Sequence, residues 1–293
     1  MAVAPGPGAF DGARVLGFAR VAEGLGFDTI WLSDVPLGPI GDPILSLAAV
    51  AAVTERVKLG ANVVPLGRYP YLLARQLAQL DRQSGGRLLL SFVPGLDQPG
   101  ERAALGVATG DRWAAVEHHV DLARRWWAGE AVDDEDGGSR FEHVALGVTP
   151  IQDPLEIWLG GAGPRALTRV GRVADGWLTA AVTPAEAAAG RDAVMSHAAA
   201  AGRSIDPEHF GTSVPYARRR IPDEPAAALR ARRNDDDLTD IVPVGADALC
   251  DLLGRHVGAG LSKFVLRPVD AAPDTDDGAE LGWLAEVVLP LQT

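Results

Sequence analysis

A closed barrel of eight parallel strands, each followed by a helix (the TIM (β/α)8 arrangement of the α/β class), is what this sequence predicts. Three observations predict it. Strand-like runs alternate with helix-like segments from one end of the chain to the other, as crossover-connected parallel strands require. The run from Leu88 to Val93 is almost continuously apolar, the pattern of a strand buried on both faces. The alternating units number eight when a weak first one is counted, in a chain of 293 residues, a length that α/β barrels reach as one domain. We therefore expect a single domain, 1–293, with insertion loops after the fourth and seventh strands.

Each element has a local reason. Met1 to Ala4 is the weak first strand, either short or beginning upstream of Met1. Asp11 caps a helix whose Val15, Phe18, Ala22 and Leu25 follow helical spacing, and Gly26 closes it. Thr29 to Ser33 reads as a strand. Asp42-Pro43 is a cap followed by a first-turn proline, opening a helix through Thr54. Val57 to Pro65 is the third strand, and Pro70 opens a helix that stops before Gly85-Gly86. After Gly95 the pattern loosens into a loop to about Gly110, a helix from Arg112 to Ala128, an acidic turn and an irregular stretch to Pro154. Alternation then resumes. Strand 156–159 leads to helix 164–174, strand 177–182, helix 184–201 and strand 210–217. Residues 218–243 are charged and carry Pro222 and Pro225, so they read as an insertion loop with one short helix, a candidate lid. A helix (245–260), a strand (263–269) and a last helix (280–289) complete the chain.

Composition narrows the function. A net charge of −12 argues against a nucleic-acid or anionic-membrane surface. Cys250 is the one cysteine, which excludes an internal disulfide framework; it falls on an apolar helix side and is expected to be buried. No run of 18 apolar residues and no basic leader with an apolar core occurs, so we expect a soluble, cytoplasmic protein. Six histidines form no pattern suited to a metal. His118 and His119 are neighbours on a helix and point in different directions. Trp126-Trp127 reads as packing.

The densest motif is EIWLGGAGPRALTRVGRVADGW, residues 156–177. A short strand runs into Gly160-Gly161-Ala162-Gly163, and Pro164 opens a helix. Glycines allow close backbone approach, and unpaired amides at a helix N-terminus, aided by the helix dipole, suit a phosphate. The plainer reading is a tight strand-to-helix turn whose glycines satisfy geometry.

Residues 22–34 (AEGLGFDTIWLSD), 55–65 (ERVKLGANVVP), 74–90 (ARQLAQLDRQSGGRLLL) and 156–177 together resemble the luciferase-like, flavin- and deazaflavin-dependent oxidoreductases. Stretches 217–220 (ARRR), 243–249 (PVGADAL) and 262–268 (SKFVLRP) resemble the subgroup of coenzyme F420-dependent oxidoreductases. The resemblance implies a homodimeric TIM barrel that passes hydride between F420 and a small organic substrate; FMN is the alternative cofactor. It implies that Gly160, Gly161, Ala162 and Gly163 hold the cofactor phosphate, with Asp34, Asn62, Val63 and Gly95 near the ring. Asn62-Val63 matches a family bulge that often carries a non-prolyl cis peptide.

One departure matters. F420-dependent sugar-phosphate dehydrogenases of this superfamily carry a histidine after the strand-two aspartate and a glutamate after the strand-four glycine. Here those positions read Val35 and Leu96, and neither transfers a proton. That favours reduction of an activated double bond or a flavin monooxygenase, with a catalytically degenerate flavin-binding barrel as the non-enzymatic alternative. Asp34, Asp97, Tyr216 and Arg68 are the remaining candidates for proton work near strand ends, with Asp34 and Tyr216 the catalytic expectation. Asp34 alternatively caps a loop, and Tyr216 alternatively packs. Arg68 and Arg267 are candidates for a substrate anion, or for pairing with surface carboxylates.

Overall fold

The computed structural model describes residues 1–6, 11–96, 98–107, 111–136, 139–233, 237–271 and 276–292. In chain order the elements are β1 (Ala2–Val3), α1 (Gly12–Leu25), β2 (Thr29–Ser33), α2 (Pro43–Ala51), β3 (Lys58–Val63), α3 (Pro70–Gln83), β4 (Leu88–Phe92), α4 (Pro99–Ala104) and α5 (Arg112–Trp127). They continue with β5 (Ala131–Asp134), β6 (Phe141–Ala145), β7 (Ile157–Leu159), α6 (Pro164–Val173), β8 (Gly176–Ala180), α7 (Pro184–Ala200), β9 (Phe210–Tyr216), α8 (Asp223–Arg233), α9 (Ala246–Gly258), β10 (Lys263–Pro268) and α10 (Asp277–Val288). The strand order β1-β10-β9-β8-β7-β4-β3-β2 is that of a closed barrel. By density of contacts the chain divides into two compact units.

One unit comprises residues 1–9, 17–31 and 158–293. Within it β10 pairs in parallel with β1 and β9, β9 with β8, and β8 with β7. The two-residue β1 is short, as its sequence implied, yet it bridges Val265 and Leu266 on one side and Thr29 and Ile30 on the other. Thr183 and Glu186 form a reciprocal capping box at the start of α7, satisfying two amides that a helix start leaves unpaired. Segment 218–243 contains α8, and Ala226, Leu238, Ile241 and Val242 make a small apolar cluster of their own. Arg233 ties it down, donating to the Ala181 carbonyl at 2.6 Å and to both oxygens of Glu186 at 3.1 Å.

The other unit comprises residues 10–16 and 32–157. Its β3 and β4 pair in parallel from Leu59↔Leu88 to Val63↔Phe92, with alternate residues Leu59, Ala61, Val63, Leu88, Leu90 and Phe92 buried. Helix α2 starts as its cap predicts: Asp42 accepts from the Ile44 and Leu45 amides. Two elements depart from the sequence reading. Residues Pro99–Ala104 of the expected loop form α4, and the stretch after α5 is a β5–β6 antiparallel hairpin. The hairpin is held from α5: Trp126, fully buried, donates its indole N–H to the Val144 carbonyl and stacks edge-on against Phe141. Cys250 is half-buried rather than core, its thiol near the Val287 carbonyl.

Three charged side chains serve as braces within their own units. Asp81, fully buried, accepts from the Ile151 and Gln152 amides and the Gln152 side chain. Arg87 donates to four backbone carbonyls (Ser84, Val57, Ala51, Thr54) and the Thr54 hydroxyl, closing the α2–β3 connection onto β4. Arg203 does the same for the Ala174-Asp175 turn, reaching two carbonyls and the Asp175 carboxylate. Each saturates buried backbone groups that would otherwise cost about 1–3 kcal/mol apiece.

Candidate functional site

In the first unit the glycine turn between β7 and α6 separates structural glycines from one that the fold does not require. A Cβ on Gly160 would stand 2.7 Å from the Leu178 carbonyl, so no side chain fits there. Gly161 has φ +97°, and a Cβ would meet Ala166 at 2.7 Å. Its carbonyl is pinned by the indole N–H of Trp177 at 2.8 Å, which gives the Ala-Asp-Gly-Trp motif its purpose. Gly163 is different. It is the N-cap of α6, with ordinary extended dihedrals (φ −75°, ψ 159°), and a Cβ would meet nothing within 4 Å. Aspartate, serine or asparagine there would cap α6 better than glycine does. The Ala166 and Leu167 amides turn back to the Gly163 carbonyl, whereas the exposed Ala162 and Gly163 amides donate to no described residue. The turn thus leaves an open cradle of amides at a helix start, with no acidic side chain in the first turn of α6.

In the second unit the strand ends carry a charged network. Asp34, just past β2, is nearly buried; its Oδ2 accepts from the Val64 amide at 3.1 Å and from Arg68 Nη2 at 2.8 Å. The same Nη2 reaches Asp42 at 2.8 Å, and Arg68 Nε donates to the Val64 carbonyl. Burial works against the Arg68 charge, but hydrogen bonds and attraction from Asp42 and Asp34 outweigh it and raise its pKa above the usual arginine value. Behind it His119 lies against the Ala115 and Arg68 carbonyls, and burial lowers its pKa. Arg68 is therefore a shared counter-ion for two carboxylates, which corrects its reading as a cation waiting for a substrate anion.

Asn62 and Val63 carry a second correction. They lie in regular β3, opposite Ser91 and Phe92, with their carbonyls taken by the Asp34 and Val93 amides. No bulge interrupts the ladder, and the one cis peptide among the described residues is Asp153–Pro154. Continuous parallel pairing leaves no extra residue to loop out. Asn62 Nδ2 donates to the Ser33 hydroxyl at 3.2 Å. Ser91, its register partner on the same face, is buried with no hydrogen-bond partner for its hydroxyl. That serine, inside an otherwise apolar run, is the signal in the sequence for a polar position on this strand.

Beyond β4, Gly95 has φ +79°, and a Cβ there would collide with Glu101 Oε1. Glu101, 1% exposed, accepts from the Leu96 amide at 2.7 Å, while Arg112 donates to the Pro94 carbonyl at 2.8 Å and approaches Glu101 at 3.8 Å. A glutamate five residues further along thus braces the turn where the dehydrogenase pattern has one directly after the glycine. Sequence spacing gave no hint of this fold-back. Asp97 lies outside the described residues.

Tyr216 is placed on the helix side of β9, which corrects its reading as a proton donor at the strand ends. Its hydroxyl donates to Glu280 of α10 at 2.8 Å and its ring stacks on Trp283. Burial first, then Glu280, raises its pKa. Arg218 completes the cluster, 3.2 Å from Glu280 and over the Trp283 ring. Arg267, the penultimate residue of β10, is half-buried, and burial lowers its pKa. No group of three or more metal-ligating side chains occurs among the described residues.

Comparison with known proteins extends these observations. The family model of luciferase-like monooxygenases matches residues 2–245. An F420-dependent glucose-6-phosphate dehydrogenase of Nakamurella multipartita is 33% identical over 181 residues, 58% of this chain and 52% of that protein; the chain spans about half the length of this curated relative. Coenzyme F420 dependent tetrahydromethanopterin reductase from Methanopyrus kandleri superposes with TM-score 0.80 at 19% identity, covering 100% of this chain and 99% of that one. An F420-dependent secondary alcohol dehydrogenase, solved with an F420-acetone adduct, gives TM-score 0.82 at 18% identity over 100% and 98%. At such identities the structural likeness establishes the shared barrel fold.

Proposed function

The chain belongs to the luciferase-like monooxygenase family, and from that premise we propose that it is an F420-dependent oxidoreductase acting on a small organic molecule. The carrying observation is Gly163: a cap position left bare beside exposed amides, where nothing in the fold needs a glycine. A cradle of amides at a helix start without acidic neighbours fits an anionic phosphate, and an aspartate cap would repel one. Relatives named as F420-dependent support this choice of cofactor. F420 supplies hydride chemistry, two electrons at a time; the chain's part is to bind it, orient it and keep its face accessible. We assign the phosphate to Gly160, Gly161, Ala162 and Gly163. The ring-side role of Asp34, Asn62, Val63 and Gly95 is a separate proposal, supported by family resemblance and by the polar Ser33–Asn62 contact. Its test is an Asn62→Ala variant, which should shift the absorption spectrum of added F420 relative to wild type.

Val35 and Leu96 leave no proton carrier at the usual two positions, so the proton of the reaction is proposed to come from water. Fluorescence titration of the purified chain with F420 and, separately, FMN tests the cofactor. Micromolar binding of F420 with weak FMN binding is expected; tight binding of FMN alone overturns the proposal in favour of a flavin monooxygenase. No helix among the described residues is long and apolar enough to cross a membrane. A cytoplasmic homodimer is part of the same proposal, checked by light scattering of the purified protein.

A further inference from the structure

We infer that the substrate side of this enzyme takes a neutral, apolar organic molecule, selected by Leu37, Ile40 and Leu96; this deepens the functional reading above and rests on it. Three large aliphatic side chains stand exposed beyond the ends of β2 and β4: Leu37 at 50%, Ile40 at 38% and Leu96 at 60%. Single exposed leucines are ordinary, but three large aliphatics exposed within a few residues of strand ends that carry function in such barrels offer apolar area to a ligand. Two of the three are neighbours of one short helix. The Leu37 Cδ1 lies 3.2 Å from where a Gly100 Cβ would stand, and the next residue, Glu101, holds the Leu96 amide at 2.7 Å. Ile40 lies two residues before Asp42, which Arg68 anchors.

Charge points the same way. Asp34, Asp42 and Arg68 together leave one net negative charge at these strand ends, and the guanidinium is already shared between both carboxylates. A phosphorylated sugar or a carboxylate substrate would meet that negative charge and three aliphatic side chains. A neutral molecule would cover the aliphatic groups, each contributing through the apolar area it removes from water. The chain's substrate thus differs in class from that named for its glucose-6-phosphate dehydrogenase relative.

The test is isothermal titration of the full chain, with and without F420, using benzylideneacetone, cinnamate and glucose 6-phosphate as probes. The first two share a phenyl-vinyl skeleton and differ in charge. Benzylideneacetone should bind, and cinnamate and glucose 6-phosphate should not. Leu37→Asp and Leu96→Asp, both at exposed positions, should keep the wild-type melting temperature and weaken benzylideneacetone about fivefold or more. Equal or tighter binding of either anion, no binding of benzylideneacetone, or unchanged affinity in both variants would overturn the inference. If F420 itself fails to bind while the probe pattern holds, the cofactor reading fails and the substrate class stands.

Discussion

Arg68 and Asp34 are bonded at 2.8 Å across 34 residues of sequence, and the same Arg68 nitrogen holds Asp42. The pair fixes one oxygen of Asp34 and joins the ends of β2, β3 and α2 into one network. Replacing Arg68 with methionine removes the counter-ion of a nearly buried carboxylate. It should destabilise the protein by about 2–4 kcal/mol, read as a lower urea midpoint, whereas Asp42→Asn should cost about 1 kcal/mol. Equal midpoints for wild type and the methionine variant would show that the network is incidental.

Gly95 and Glu101 are coupled sterically. Gly95→Ala must both hold a left-handed backbone and displace a buried carboxylate, a loss of about 2 kcal/mol or more. In a Glu101→Ala background the second cost disappears, and the same substitution should lose only about 1 kcal/mol. A double-mutant cycle measures this; additive losses would mean that the carboxylate does not fill the space above the glycine.

His256 offers a pH signature. It is buried beside Phe264, and burial, with a smaller effect of Arg255, pushes its pKa down to about 4 from the ordinary 6.5. The unfolded chain takes up a proton below pH 6.5 that the folded chain accepts only near 4. Its contribution is therefore fully present above 6.5 and is lost as pH falls between those values, by at most about 3 kcal/mol. A His256→Leu variant should lose less stability than wild type between pH 7 and pH 4 in parallel urea titrations. Identical pH profiles would place the histidine in contact with water.

Much of the architecture was legible because its signals are local. Asp42-Pro43, Pro164 and Pro184 mark helix starts through backbone chemistry that depends on a few adjacent residues, and those helices begin there. The β5–β6 hairpin was not legible: its stabilising contacts come from Trp126 on α5, and its own strands carry charges that mask alternation. At the candidate site the same division holds. The glycine turn announced itself in one motif. The fate of Arg68 and of Glu101 depends on partners that only the fold brings near, and the expected bulge at Asn62-Val63 gave way to uninterrupted pairing with β4. Tyr216 shows how strand periodicity decides function: it faces α10, where Glu280 takes its hydrogen bond.

The most direct measurement compares F420 binding by wild type and a Gly163→Asp variant in parallel with their melting temperatures. Aspartate suits the cap of α6 and has open space there, so the variant should melt at or slightly above the wild-type temperature. Its carboxylate would occupy the proposed phosphate cradle, and F420 affinity should fall by about a hundredfold or more. Wild-type affinity in a fully folded Gly163→Asp protein would contradict the assignment of this turn to the cofactor.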